Sequence, residues 1–524
     1  MVNETLDSKI MEFKPFFQDL KKDNQFYRLG KPFETSERKY FYDTGTGKIF
    51  QINENVYAVL SCLFDSDQFD SLLELKMENK VLIAALLEIK ECIAEEHILS
   101  APPVTCFSGP HVSALENYLE YNMNQLTLEV TERCNLRCKY CIYQESHNDF
   151  HGYNERDMTF ETAKKAIDYT YPRVEEEFFL AFYGGEPLLN FKLIKQCVEY
   201  AEKLVVDKKL GFSMTTNAVL VTKEIAQYLV EHNFVVLVSL DGPEEIHDEN
   251  RIFQDGSGSF KHVMRGIKYL VEAKEKNRSK DESGDTLYFS LVASGSNLVE
   301  KYNKIQDFFD NTEWLPKPVT VNASYVSYGR TGEEYLEPTS LEDKSYREDK
   351  SIDPLFSWSV ENKRDATARN KLFSNGQMRK FLHMIHRRDI RPVPMDNYYF
   401  NGCCVPGSRR LHVNVDGNFL PCERVGSVPF LGNVDSGFDI QSIQKHYVHN
   451  FMEKSVEYCN KCWAVHLCTS CYIDCFDEEK VDLSYRHSGC RYIRYLLDQS
   501  LSLYHEILEH DPESLMELNE IIAK

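Results

Sequence analysis

Between residues 125 and 326, apolar strand-like runs alternate with helical stretches, and this alternation limits the fold more than any other feature. The runs fall at 125–130, 177–183, 211–216, 235–240, 287–293 and 319–326. Helical periodicity separates most of them, for example at 160–169, 193–206 and 223–231. Strands joined through crossover helices lie parallel, so the pattern predicts an α/β sheet closed into a partial, TIM-like (β/α)6 barrel. In such folds reactive groups gather at the C-terminal ends of the strands. Directly after the first run stand three cysteines within eight residues: Cys134, Cys138 and Cys141.

That spacing can wrap three thiolates around one small iron–sulfur cube. A cubane has four irons, so one iron is left without a protein ligand and is open to a substrate or cofactor. The alternative for three close cysteines is zinc with a distant fourth ligand. The chain has 524 residues and 16 cysteines, and its first residues lack the basic start and apolar stretch of a signal peptide. In a reducing cytosol, metal ligation is a better account of so many thiols than disulfides. Cys62, Cys92, Cys106 and Cys197 stand alone and read as packing thiols. No run of 18 apolar residues is present, so no membrane span is expected. The net charge of −22 argues against nucleic acid as the main partner. A cytoplasmic location follows as the expectation.

Four regions are expected. Residues 1–105 carry a hairpin pattern around Thr44-Gly45-Thr46-Gly47, then Val56, Val59, Leu60 and Leu63 at helical spacing, then Leu82, Leu86, Ile89 and Ile93. Strands followed by helices suggest a winged-helix-like module, with Ala101-Pro102-Pro103 marking its exit. Residues 106–326 hold the barrel, with an exposed polar loop at 272–285. Residues 327–400 bridge or insert, and 329–354 is acidic with little apolar periodicity. Residues 401–524 change texture: Asp416-Gly417 makes a hairpin turn, and Cys403, Cys404, Cys422, Cys459, Cys462, Cys468, Cys471, Cys475 and Cys490 are concentrated here.

The C-x3-C-x2-C arrangement resembles that of the radical S-adenosylmethionine (SAM) enzymes, and further features match that family in order. Tyr140 stands where members carry an aromatic near the adenine. Gly184-Gly185-Glu186-Pro187 ends the second strand, like the motif that receives the methionine amino group. Asn217 ends the third strand and could bond the ribose. Ser239 and Asp241 end the fourth, and Arg251 beyond them could meet the cofactor carboxylate. The resemblance implies a SAM-binding [4Fe–4S] cluster with Cys134, Cys138 and Cys141 as ligands. It also implies a 5′-deoxyadenosyl radical that abstracts a substrate hydrogen.

The C-terminal array resembles the SPASM domain of radical enzymes that modify peptides, which usually holds two auxiliary [4Fe–4S] clusters. Carried over by motif, Cys459, Cys462, Cys468 and Cys490 are the outer ligands, and Cys404 and Cys422 belong to the inner cluster. Tyr472 stands where the pattern has a cysteine, so Cys471 or Cys475 supplies the next inner ligand. The N-terminal module resembles the RiPP recognition element, which pairs the leader of a ribosomally made precursor peptide with a sheet edge, here expected at 48–52. Together these resemblances imply a peptide maturase of the sactipeptide and ranthipeptide type. It would form a thioether from a Cys sulfur to a carbon, with a reductant such as flavodoxin or ferredoxin as electron donor. Carbon–carbon cross-linking of a peptide, formylglycine formation on a sulfatase with Glu423 as base, and a non-enzymatic zinc-binding adaptor are the rival readings. A catalytic residue is not assigned.

Overall fold

The structure is a computed structural model. It describes the chain apart from residues 1–5, 19–25, 67, 145–150, 278–286, 294–297, 318, 320, 326–379, 400–401, 473–474, 478–479, 484–489 and 520–524. The acidic stretch 329–354, and most of the bridging region, lie outside the described residues.

Six strands follow one another across the central sheet: β5 (Met123–Glu129), β6 (Val174–Tyr183), β7 (Lys209–Thr216), β8 (Phe234–Ser239), β9 (Leu287–Ala293) and β10 (Val321–Tyr325). Each pairs parallel with the next, as the alternating pattern predicts. Side chains on successive positions point to opposite faces. Leu126, Leu128, Leu180, Met214, Val236 and Phe289 lie on the outer face and are buried. Gln125, Thr127, Tyr183, Ser213, Thr215, Leu237 and Ser290 line cavities on the inner face. The polar inner positions of β5 and β7 face an internal space shared with the apolar Ala181, Val235 and Leu237 of β6 and β8, and the outer half of the strands contributes to the shared hydrophobic core.

The barrel is open. Strand β5 pairs on its other side with β12 (Arg410–Val413), Thr127 opposite His412, rather than with β10. Strand β13 (Asn418–Leu420) then turns back antiparallel through Asp416-Gly417, where Gly417 takes a positive φ of 86°. Strands β14 (Gly432–Asn433) and β15 (Gly437–Phe438) complete the ten-stranded order β10-β9-β8-β7-β6-β5-β12-β13-β14-β15.

The N-terminal region forms a separate three-stranded antiparallel sheet, β1 (Gly30–Glu34), β2 (Lys39–Asp43) and β3 (Ile49–Ile52), followed by helices Glu54–Asp65 and Asn79–Glu96. Asn53 caps the first helix by accepting from the Asn55 and Val56 amides. The predicted helical faces pack as expected, with Val56, Val59, Leu60 and Leu63 against Leu82, Leu86, Ile89 and Ile93. Because Asp43 N–H donates to the Lys48 carbonyl, alternation along the ladder leaves the Ile49 and Gln51 amides pointing away from β2. Strand β3 is therefore an edge with free donors.

Two expectations need correction. Residues 272–277 are helical, the end of helix Phe260–Asn277, because Val271 and Ala273 keep its buried stripe going. Cys106 is exposed and bonds Asn397 at 2.9 Å, so it is not a packing thiol. Beyond the exit segment 101–103, the Val104 amide donates to the Asn460 carbonyl at 2.9 Å. The N-terminal sheet also shares a core with the C-terminal helix Cys490–His510: Phe33, Tyr40 and Tyr42 pack with Leu497, Leu501 and Tyr504.

Phe33 is buried between the Tyr40 ring, at 5.4 Å, and the His505 ring, at 5.0 Å. Phe33→Ala should cost about 3 kcal/mol, by lost transfer energy and the cavity left behind. Denaturant titration measures that cost. Limited proteolysis of the same variant should show cleavage in the N-terminal sheet before the barrel.

Candidate active site

The cysteine loop leaves the C-terminal end of β5 and rests on the end of β6 through two backbone bonds. Gly185 N–H donates to the Thr131 carbonyl at 2.9 Å, and Glu186 N–H to the Arg133 carbonyl at 2.8 Å. A Cβ on Gly184 would overlap the Thr131 oxygen, and one on Gly185 the Arg133 oxygen. Gly184 also holds a φ of 148°. The two glycines therefore let two backbones touch, which sets the height of the cysteine loop above the sheet.

Glu186 extends this contact to β7. Its carboxylate accepts from the Thr216 hydroxyl at 2.7 Å, the Asn217 amide at 2.8 Å and the Leu188 amide at 3.1 Å. Asn217 then returns to the cysteine loop, donating its side-chain amide to Asn135 Oδ1 at 2.8 Å. Its own Oδ1 accepts from the Val219 amide at 3.0 Å. Both side chains that sequence reasoning directs at a cofactor thus also tie strand ends together.

A cavity of about 650 Å³ opens over this ring of contacts. Cys134, Cys138, Cys141, Tyr140, Gly184, Gly185, Glu186, Asn217, Ser239 and Arg251 all line it. Asp241 does not. It is buried one layer behind, where it accepts from Arg251 Nε at 3.0 Å, from the Tyr140 hydroxyl and from the Val292 amide at 3.0 Å. Asp241 thereby fixes the Arg251 guanidinium, which lies 5.4 Å from the Tyr140 ring centroid. His247, which accepts from the Asp241 amide, is held neutral, its pKa lowered by burial to about 4.

Burial raises the Cys138 thiol to about 12 and Cys134 higher still. Such thiols do not ionise in this environment on their own, and a soft metal centre would deprotonate them outright. Three convergent cysteine sulfurs beside a polar cavity suit an iron–sulfur cluster with one iron facing the cavity. The residues present therefore fit that group.

Sequence reasoning missed Tyr143, Tyr153, Tyr183 and Arg424, which also line the cavity with Glu423. Tyr183 could have been found from strand parity, two positions beyond the inward Ala181. It also missed Glu129, buried at the end of β5 and bonded to His151 Nε2 at 2.8 Å. That pair carries no sequence signal, because its members lie 22 residues apart and His151 is in a loop.

In the C-terminal region Cys459, Cys462, Cys468 and Cys490 line one cavity of about 40 Å³ with Arg494. Cys422 lies within electrostatic range of Cys404 and Cys471, and its thiol is raised by burial to about 12. Cys475 is fully buried and donates to the Cys471 carbonyl at 3.1 Å, while Cys403 donates to the Ser470 carbonyl at 3.6 Å. Cys471 therefore sits with Cys404 and Cys422, and the Cys475 thiol is turned to the backbone.

The radical SAM superfamily model matches residues 128–283. Over that span the chain is similar to a radical SAM domain. Enzymes of this superfamily bind S-adenosylmethionine and a [4Fe–4S] cluster, and the matched span supplies the cysteines, glycines, Asn217 and Arg251 of the cavity. An uncharacterized protein of Methanocaldococcus jannaschii is 37% identical over 151 residues, 29% of this chain and about half (49%) of that protein. The cysteine-type anaerobic sulfatase-maturating enzyme of Clostridium novyi is 24% identical over 65% of this chain and 84% of its own length. The radical SAM cyclopropyl synthase TigE of Paramaledivibacter caminithermalis is 24% identical over 58% and 62%. In fold, the chain is similar to native anSMEcpe solved with AdoMet and the Kp18Cys peptide. The TM-score is 0.51 and the identity 22%, over 76% of this chain and 99% of that one.

Glu186 gives a pH prediction. Burial lifts its carboxyl to about 7, and the bonds from Asn217, Thr216 and Leu188 only partly offset this. The folded chain then holds a proton that the unfolded chain releases above its ordinary value near 4.5. Stability contributed by that proton is complete below about pH 4.5 and is lost as pH rises to about 7, by about 3 kcal/mol. Glu186→Gln should flatten this slope in denaturant titrations, although its amide group weakens the hold on Asn217.

Proposed function

We propose that this chain is a radical SAM enzyme that modifies a ribosomally made precursor peptide, forming a thioether from a Cys sulfur to a carbon of another residue. One observation carries the radical part: the three cysteines, the glycine pair, Asn217 and Arg251 converge on one cavity at the C-terminal strand ends. When bound there, the cluster and S-adenosylmethionine supply hydrogen-atom abstraction from an unactivated carbon.

The chain's own residues do the rest. Cys134, Cys138 and Cys141 would hold the cluster. The Gly184–Glu186 segment would offer backbone carbonyls to the methionine ammonium. Arg251, fixed by Asp241, would receive the carboxylate, Tyr140 and Ser239 the adenosine, and Asn217 the ribose. Tyr143, Tyr153 and Tyr183 narrow the cavity and exclude water, so that one substrate C–H bond can be aimed. Glu423 and Arg424 reach the same space from the C-terminal region. Glu423, next to Cys422, stands where a substrate proton could be taken.

Cys459, Cys462, Cys468 and Cys490 are read as one auxiliary cluster, and Cys404, Cys422 and Cys471 as ligands of a second. Held by three protein thiolates, a second cluster would have one iron open to a substrate sulfur, which favours the thioether product. The free β3 edge, with its Ile49 and Gln51 amides outward, is read as the leader-binding strand. The anSMEcpe structure, with AdoMet and the Kp18Cys peptide, is a precedent for a chain of similar fold holding both a cofactor and a peptide. The second reading is oxidation of a sulfatase side chain. Glu423 in the cavity and the match over 84% of the Clostridium novyi maturase favour it.

Anaerobic reconstitution should give three clusters' worth of iron and a coloured protein, and reduction should yield 5′-deoxyadenosine. Changing Cys134, Cys138 and Cys141 together to Ala should abolish that product and remove one third of the iron. A colourless zinc protein defeats the reading. Co-expression with small Cys-rich peptides encoded beside this chain should yield a peptide lighter by two hydrogens per link. Gln51→Pro removes an outward amide without breaking the ladder to β2. It should lower peptide conversion at least about tenfold while leaving iron content and 5′-deoxyadenosine unchanged.

A further inference from the structure

The turn between β2 and β3 does not face solvent. Thr44 Oγ1 donates to the Trp463 carbonyl at 2.7 Å, and the Thr44 backbone bonds the His466 ring. Trp463 and His466 both lie inside the Cys462–Cys468 run. Lys31 of β1 lies 5.6 Å from the Trp463 ring centroid and pairs with Asp498 at 3.2 Å. On the other side of that run, Val104 binds the Asn460 carbonyl, between Cys459 and Cys462.

The turn itself is stiff. Asp43 accepts from the Thr46 amide and hydroxyl, both at 2.7 Å, and from the Leu99 amide at 2.7 Å. Gly47, at a φ of 70°, packs so closely on Asp389 that a Cβ would overlap its carbonyl oxygen. Arg388 Nε and the Arg391 and Met395 amides close on the same turn through the carbonyls of Gly47, Thr46 and Gly45. The fourth cysteine, Cys490, begins the helix whose later turns share a core with Phe33, Tyr40 and Tyr42. Contacts from the N-terminal sheet thus reach the segments that carry Cys462, Cys468 and Cys490.

We infer that the N-terminal sheet is a structural part of the outer cysteine centre, with Thr44 as a positioning residue that holds the Cys462–Cys468 loop in ligating geometry. This rests on the reading of Cys459, Cys462, Cys468 and Cys490 as one iron–sulfur site. The sheet then does more than capture a partner. The hydroxyl of Thr44 restrains the carbonyl directly after Cys462, and outer-layer bonds of this kind set metal retention and potential. It follows that removing residues 1–100 strips the outer centre of support as well as any peptide-binding edge.

The test uses the full chain, reconstituted anaerobically with iron and sulfide. Iron release to a ferrous chelator is followed in time, and the phase absent from Cys490→Ser marks the outer centre. Thr44→Val should speed that phase several-fold and shift the midpoint potential of the same cluster in EPR-monitored titration. Thr44→Ser, which keeps the hydroxyl, should restore both. Leu87→Ala, on an exposed face of the same domain, should change neither. Should Thr44→Val fail to fold, Lys31→Met probes the same loop and should speed the same phase. Wild-type release and potential in the folded Thr44→Val or, in its place, Lys31→Met overturn the inference alone. Wild-type protein with no iron on these four cysteines overturns the inference together with the auxiliary-cluster reading.

Discussion

Two glycines pressed against another backbone are the contact on which the rest of the site depends. Gly184 and Gly185 allow the end of β6 to touch Thr131 and Arg133, the residues that lead into Cys134. From there the Glu186 carboxylate reaches Thr216 and Asn217, and Asn217 reaches Asn135 beside the cysteines. The path closes on itself across three strands. A side chain at either glycine would push the loop away from the sheet and open the path at its first step. Burial of Glu186 makes its charge costly, so three donors converge on it, and those donors belong to the elements that must stay in register.

A second buried group works in the same way at the other wall. Asp241 holds Arg251 and Tyr140 and is tied by Val292 to β9. Arg251 would be costly to bury alone, and its paired carboxylate offsets much of that cost. The cavity is thus bounded by polar groups whose positions are fixed by neighbours behind them rather than by the cavity's contents.

Much of this was legible in the sequence, for a physical reason. Parallel strands buried on their outer face need apolar residues at alternate positions, and 125–130, 211–216 and 235–240 show them. The three cysteines and the glycine pair are local signals. The same is true of Asp416-Gly417. What was not legible depends on residues distant in the chain. Glu186 reads as a cofactor contact, and only the fold shows its three internal donors. Sequence leaves both Cys471 and Cys475 open, and only the fold shows the Cys475 thiol donating to the Cys471 carbonyl. The helix to Asn277 extended through a polar stretch because a few buried positions suffice to hold it. The bond from Val104 to Asn460 joins residues far apart in the chain and leaves no sequence signal.

The partner chosen by β5 has a further consequence. Its free side is taken by β12 rather than by β10, so the ring of strands stays cut along its length. The sheet therefore runs on past β5 into the C-terminal hairpin, and the residues that follow β13, Glu423 and Arg424, are delivered to the same cavity as the three cysteines after β5.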